Sequence, residues 1–155
     1  MHRQDIVFVL CGEGVGRYAL AQLSKDLPNL RISGLRPAAE LNVLLNAADI
    51  HLLPQRAEYA DLVMPSKLMG MLASGRPVVA SAGAGTQLEC VVKSCGIAVE
   101  PERPEEIARA VEHLADDAAL RRRLGLSARA YAEQHLDREV VLSEFERALL
   151  TLCRR

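Results

Sequence analysis

The chain has 155 residues, half of them hydrophobic and a quarter charged, with a formal net charge of −1. That length suits a single globular domain able to bury a real core, and the charge balance gives no electrostatic reason to expect nucleic-acid binding. Phe8, Phe145, Tyr18, Tyr59 and Tyr131 are the only aromatic residues, too few to build a base-stacking platform.

In chain order, Ile6–Leu10 is a continuous apolar β-branched run and predicts a fully buried strand. Gly12-Glu-Gly-Val-Gly16 follows it, then a helix reaching about Leu27, with Pro28 beyond its end. Leu30–Ser33 predicts a short strand. Pro37 suits the first turn of a helix running to about Ala47, and Asp49–Leu53 predicts the third strand. A loop spans Pro54–Met64. Pro65 opens the next helix, which Gly75 closes as a C-terminal cap. Pro77–Ser81 is the fourth strand. The turn Ala82-Gly-Ala-Gly85 leads to a helix near Thr86–Lys93, and Gly96–Glu100 is the fifth strand. From Pro104 the chain reads as helical, with Ile107, Val111 and Leu114 on one face. Further helices are predicted over about 118–124, 127–134 and 137–152, the last carrying an apolar stripe for the body of the domain.

Strand–helix alternation with short loops predicts an α/β fold, a Rossmann-like parallel sheet with helices on both faces and a helical C-terminal segment. Ligands in such folds bind at the carboxyl ends of the strands. The loops to watch are therefore 12–16, 33–37, 54–64 and 82–86. Cys11, Cys90, Cys95 and Cys153 form no C-x-x-C pair and no histidine cluster joins them, so reduced thiols are expected and a zinc site is not. No apolar run approaches the ~20 residues that cross a bilayer. Met1-His-Arg-Gln-Asp5 lacks a signal-peptide pattern, so a cytoplasmic location is expected, with access to membrane-bound substrates through a longer enzyme.

Gly12-Glu-Gly-Val-Gly16 falls short of the full dinucleotide pattern, and Ser33-Gly34 stands where an acidic residue would hold a ribose, which disfavours a nicotinamide cofactor. The order of signals is more specific. Gly12-Glu-Gly14 is followed by Ala48-Asp-Ile-His-Leu-Leu-Pro54, Pro65-Ser-Lys-Leu68, Ala73-Ser-Gly-Arg-Pro-Val-Val-Ala80, Gly83-Ala-Gly-Thr-Gln-Leu-Glu89 and Gly96-Ile-Ala-Val-Glu-Pro101. Over nearly its whole length the chain resembles the C-terminal half of the retaining GT-B glycosyltransferases of family 4, most of all those of bacterial exopolysaccharide assembly, including the colanic-acid type.

The resemblance implies a hexosyltransferase domain that binds a nucleotide-diphosphate sugar, UDP- or GDP-linked, without a metal or other cofactor. A lipid-linked or oligosaccharide acceptor would bind a separate N-terminal domain, where the catalytic residue resides. A metal-free transferase needs a cradle for the leaving diphosphate, and a helix N-terminus supplies one. Ser66 and Lys67 are the candidates there, with Gly12 and Gly14 letting the backbone approach. Leu35 and Arg36 lie where the family holds the base and ribose, although Arg36 also reads as a solvated loop residue. Gly83, Gly85 and Thr86 are explained equally well as a structural turn, and His51 as a packed core histidine.

The chain departs from the family in three respects. Leu62 and Gly70 stand where two glutamates are usual; Glu58 or Asp61 is the candidate to replace the first. The strand carrying a basic pair for the diphosphate is not in the sequence, nor is the acceptor domain. An inactive fragment is therefore expected, with a non-catalytic α/β regulatory or interaction module as the alternative. A GT-B epimerase fits less well, for want of its catalytic histidines and acids.

Overall fold

In the computed structural model, residues 3–59 and 64–153 are described. The chain divides into two compact units, residues 1–44 and 45–155. The first holds strand β1 (Phe8–Cys11), helix α1 (Arg17–Leu23), strand β2 (Leu30–Ser33) and a 3-10 turn at Ala38–Glu40. Helix α2 (Leu41–Ala47) carries the boundary. The second holds β3 (His51–Leu53), a 3-10 turn at Ala57–Tyr59, α3 (Ser66–Ala73), β4 (Val78–Ser81), α4 (Gln87–Cys95), β5 (Gly96–Val99), α5 (Pro104–Asp116), α6 (Ala118–His135) and α7 (Arg138–Cys153).

β1 and β2 pair in parallel, Phe8 opposite Leu30 through Cys11 opposite Ser33. The two loops beyond them are tied as well, since the Gly12 amide donates to the Ser33 carbonyl at 3.1 Å. The expected full burial of β1 is not observed: Val9 is 58% exposed and no described residue of this unit is buried. Two short strands and a two-turn helix have too few side chains to cover both faces of a ladder. The helix expected to reach Leu27 ends at Leu23, with Ser24 folding its hydroxyl back onto the Ala21 carbonyl.

In the second unit β3, β4 and β5 form a parallel sheet in that order, His51 opposite Val78 and Val78 opposite Gly96. The five strands thus form two parallel ladders, with helices on both sides as expected for a Rossmann-like arrangement. All four residues of β4 are buried, as a central parallel strand requires. Gly96 is demanded by register, because a Cβ there would stand 1.8 Å from the Val78 carbonyl oxygen. The core joins Leu68 and Leu72 of α3 to Val78 and Ala80 of β4, Leu88, Val92 and Cys95 of α4, and Ala128 and Ala132 of α6. Each fully buried Leu contributes about 2 kcal/mol of transfer free energy.

α5 buries Ala110, Val111 and Leu114, with Ile107 only half-buried. The two helices expected at 118–124 and 127–134 are one, α6, continuous through Gly125. Gly125 is a contact residue rather than a break. A Cβ there would lie 2.3 Å from the Gly75 carbonyl oxygen, so glycine lets α6 pass directly over the turn that ends α3. The stripe of α7 was expected to pack on the body of the domain. No residue of α7 is buried, and Leu142, Phe145 and Leu149 are exposed. Sequence periodicity gives the face, but only neighbouring elements can cover it.

Candidate functional site

Gly12 and Gly14, at the carboxyl end of β1, both hold positive φ, +154° and +156°. L side chains rarely adopt that region, so the loop geometry itself calls for glycine there. No atom lies within 4 Å of where their Cβ would stand, which leaves open approach to the backbone. Between them, Glu13 pairs with Arg17, the first residue of α1. Cys11 donates its thiol to the Gly34 carbonyl at 3.1 Å. The loops after β1 and β2 are therefore one joined surface. Leu35 follows, 73% exposed, and Arg36 is exposed with its guanidinium 3.9 Å from Glu40. That weak pair is consistent with a solvated loop arginine as much as with a base contact.

In the second unit Pro65, with extended backbone, enters α3 without a side-chain cap, and no acidic residue occupies the first turn. The Leu68 amide bonds the Pro65 carbonyl at 2.9 Å. The Ser66 and Lys67 amides, in the first helical turn, have no intrahelical acceptor. Both side chains are exposed, and Lys67 forms no ion pair among the described residues. Positive dipole end, free N–H groups, hydroxyl and ammonium thus coincide.

The opposite end of α3 is pinned. The Ser74 hydroxyl donates to the Met71 carbonyl at 2.6 Å and accepts from Nε2 of His51 at 2.9 Å. Arg129 of α6 donates to the Ala73 carbonyl at 2.7 Å, and Arg76 to the Asn46 carbonyl at 3.2 Å. Gly75, at φ +69°, turns the chain out of the helix. His51 is 7% exposed, a packed core histidine, and burial followed by the nearby Arg76 charge pushes its pKa below 6.5.

The turn before α4 satisfies itself. Thr86 Oγ1 accepts from the Glu89 amide at 3.2 Å and donates to the Gly83 carbonyl at 2.8 Å. The Glu89 carboxylate accepts from the Gly85 amide and binds Lys93, each at 2.8 Å. Lys93 first, then Gly85, holds Glu89 below the ordinary carboxylate range. Thr86 thus caps the Glu89 amide of α4 while the Glu89 carboxylate reaches back to the turn before the helix, a variant of the reciprocal cap, whereas α3 has no side-chain cap.

Glu58 lies in the 3-10 turn before α3, exposed, 3.5 Å from Arg56. Asp61 and Leu62 lie outside the described residues. At position 70 a Cβ would meet Leu45 Cδ1 at 3.1 Å, so a larger side chain there would have to displace Leu45. Gly12, Gly14, Leu35 and Arg36 thus belong to the first unit, and Ser66, Lys67 and Glu58 to the second. Among the described residues no cluster of His, Cys, Asp and Glu is arranged to hold a metal ion, the cysteines are free, and no helix is long and apolar enough to cross a membrane.

Each unit is thus a parallel α/β arrangement, the first with a Gly-rich turn at the end of β1 and the second with a helix start that no side chain caps. The chain matches the family glycosyl transferases group 1 over residues 1–117 and belongs to that family. It is 33% identical over 147 residues to WcaI of Escherichia coli K12, named for a glycosyl transferase of colanic acid biosynthesis, covering 92% of this chain and 35% of WcaI. It is 31% identical over 136 residues to a D-inositol 3-phosphate glycosyltransferase of Corynebacterium diphtheriae, covering 83% of this chain and 31% of that protein. The chain thus spans about a third of the length of these curated relatives. Among solved structures, Anabaena Alr3699/HepE in complex with UDP-glucose superposes with TM-score 0.78 at 19% identity, over 96% of this chain and 42% of that one. Sucrose-phosphate synthase of Thermosynechococcus elongatus gives 0.76 at 20% identity, over 94% and 38%. These likenesses establish the fold as the C-terminal GT-B half.

Proposed function

We propose that the chain is the donor-binding part of a retaining hexosyltransferase that takes a UDP- or GDP-sugar during bacterial exopolysaccharide synthesis. The observation that carries this is the start of α3, where Ser66 and Lys67 stand at an uncapped, acid-free helix N-terminus in a chain of the glycosyl transferases group 1 family. Breakage of the bond from the anomeric carbon to the diphosphate leaves negative charge on the leaving oxygen. Free N–H groups, the helix dipole and the Lys67 ammonium stabilise that charge where it develops. In this reading no metal ion takes part.

Likeness to a UDP-glucose complex and to a relative named for colanic acid biosynthesis supports the donor class and the pathway. The acceptor, lipid-linked or oligosaccharide, belongs to the remainder of a longer polypeptide working at the inner face of the membrane. This chain by itself binds nucleotide without turnover.

Titration calorimetry with UDP and GDP tests the reading. One of the two binds, and Lys67→Ala weakens it about tenfold, as loss of a charge-assisted contact worth about 1.4 kcal/mol requires. Thermal stability stays within about 0.5 kcal/mol, because Lys67 is exposed. Failure of both nucleotides to bind at millimolar concentration refutes donor binding and favours an interaction module that has kept only the fold. Robust sugar transfer by this chain alone refutes its dependence on further polypeptide.

A further inference from the structure

The last four carbonyls of an α-helix have no partner within the helix. In α3 all four are met. Gly70 C=O accepts from the Ser74 amide at 3.1 Å and Leu72 C=O from the Gly75 amide at 3.0 Å. Met71 C=O accepts from the Ser74 hydroxyl at 2.6 Å, and Ala73 C=O from the Arg129 guanidinium at 2.7 Å. Ser74 in turn accepts from the ring of His51 at 2.9 Å. His51 stands on β3, and its own amide donates to Pro77 C=O at 2.9 Å. A run of hydrogen bonds thus leads from the segment entering β4, through β3, to the end of α3.

His51 is buried, opposite Val78 of β4. A leucine there would fill the space without burying a polar ring. What a leucine could not supply is direction. Leu68 and Leu72 hold α3 to the core, but apolar contact is non-directional and resists separation rather than sliding or tilt. A hydrogen bond weakens steeply with angle and so fixes where the helix end sits. α3 has eight residues and is about 12 Å long. A tilt of about 5° at its C-terminal end would carry Ser66 and Lys67 by about 1 Å, enough to loosen a bound ligand.

We propose that His51 and Ser74 are positioning residues of the donor site, a clasp that sets the axis of α3 and thereby the place of Ser66 and Lys67. The inference rests on the donor-binding reading above. It deepens that reading by tying affinity to residues that touch no ligand. His51 supplies the donor and Ser74 the acceptor, and both lie in the second unit with the helix they hold.

The test measures UDP and GDP binding by titration calorimetry on the full chain and its variants. His51→Leu removes the donor while filling the space. It keeps the melting temperature within about 3 °C. It nevertheless weakens the nucleotide that binds by roughly threefold to tenfold, the range for residues that act on a site without touching its ligand. His51→Gln, which keeps an N–H near the position of Nε2, restores the affinity to within about twofold. Ser74→Ala removes the acceptor and weakens binding as His51→Leu does, and it decides the matter if His51→Leu does not fold. In a Lys67→Ala background the loss from either substitution shrinks below about twofold, because all three act through one helix start. A merely structural pair would move the melting temperature and leave affinity unchanged. Unchanged affinity in His51→Leu and Ser74→Ala, or losses that simply add to that of Lys67→Ala, overturns the inference and leaves donor binding standing. Binding of neither nucleotide to the unsubstituted chain overturns the donor-binding reading and this inference with it.

Discussion

His51 lies on β3 with its ring turned onto Ser74, and the direction of each proton follows from the geometry. The Ser74 hydroxyl has one proton, already donated to Met71 C=O, so its oxygen accepts and His51 must carry its proton on Nε2. Burial opposes a second proton, and Arg76 adds to that opposition. A base whose folded-state pKa lies below its unfolded value of 6.5 protonates first in the unfolded chain. Its contribution is complete above pH 6.5 and is lost as pH falls from there towards the lowered value. Urea midpoints should therefore decline between pH 7 and pH 5, and the decline should be shallower in His51→Gln. An unchanged slope in that variant would assign the pH dependence to other groups. The sequence marked His51 as a core residue from its apolar neighbours, but its hydroxyl partner, 23 positions away, is a product of folding.

At the scale of the element, glycines separate into those that serve a turn and those that serve a contact. Gly125 lies in the interior of α6, where glycine costs ~1 kcal/mol relative to alanine, and its place is explained by the Gly75 carbonyl beneath it. Gly125→Ala should destabilise by roughly 2–3 kcal/mol, because backbone meets backbone and no flexible side chain can yield. That corresponds to a fall of roughly 5–10 °C in melting temperature for a chain of this size. Gly16→Ala is the matched control: its φ of −79° is ordinary and no atom lies within 4 Å, so stability should change by less than about 0.5 kcal/mol. Equal melting temperatures for the two variants would remove the α3–α6 contact as the reason for Gly125. Helix α3 follows the same logic, with its C-terminal end held by His51, Arg129 and the Gly75 turn while no side chain caps its N-terminal end.

At the scale of the molecule, burial is unevenly shared. β4 has Val78, Val79 and Ala80 each no more than 1% exposed, whereas the unit carrying β1 and β2 has no buried residue among those described. Local opening free energy follows buried apolar contact. Amide hydrogen exchange should therefore be at least about tenfold faster in β1 and β2 than in β4, as read by mass spectrometry on peptides spanning each strand. Equal protection would mean that burial does not govern opening here. The exposed stripe of α7 belongs to the same scale, as an amphipathic element whose apolar face no described residue buries.

The sequence by itself determined the α/β class, the positions of all five strands to within two residues or so, and the family, because these depend on local periodicity, glycine and proline punctuation and the order of motifs. It also determined that Pro65 begins a helix with Ser66 and Lys67 at its start, a property of residues adjacent in the chain. Only the tertiary structure decided that Gly125 is passed over rather than broken, that β1 is not buried, and that the ring of His51 meets the hydroxyl of Ser74. Each of these turns on which atoms meet across distant segments. Such contacts are set by packing, and a one-dimensional pattern does not encode them locally.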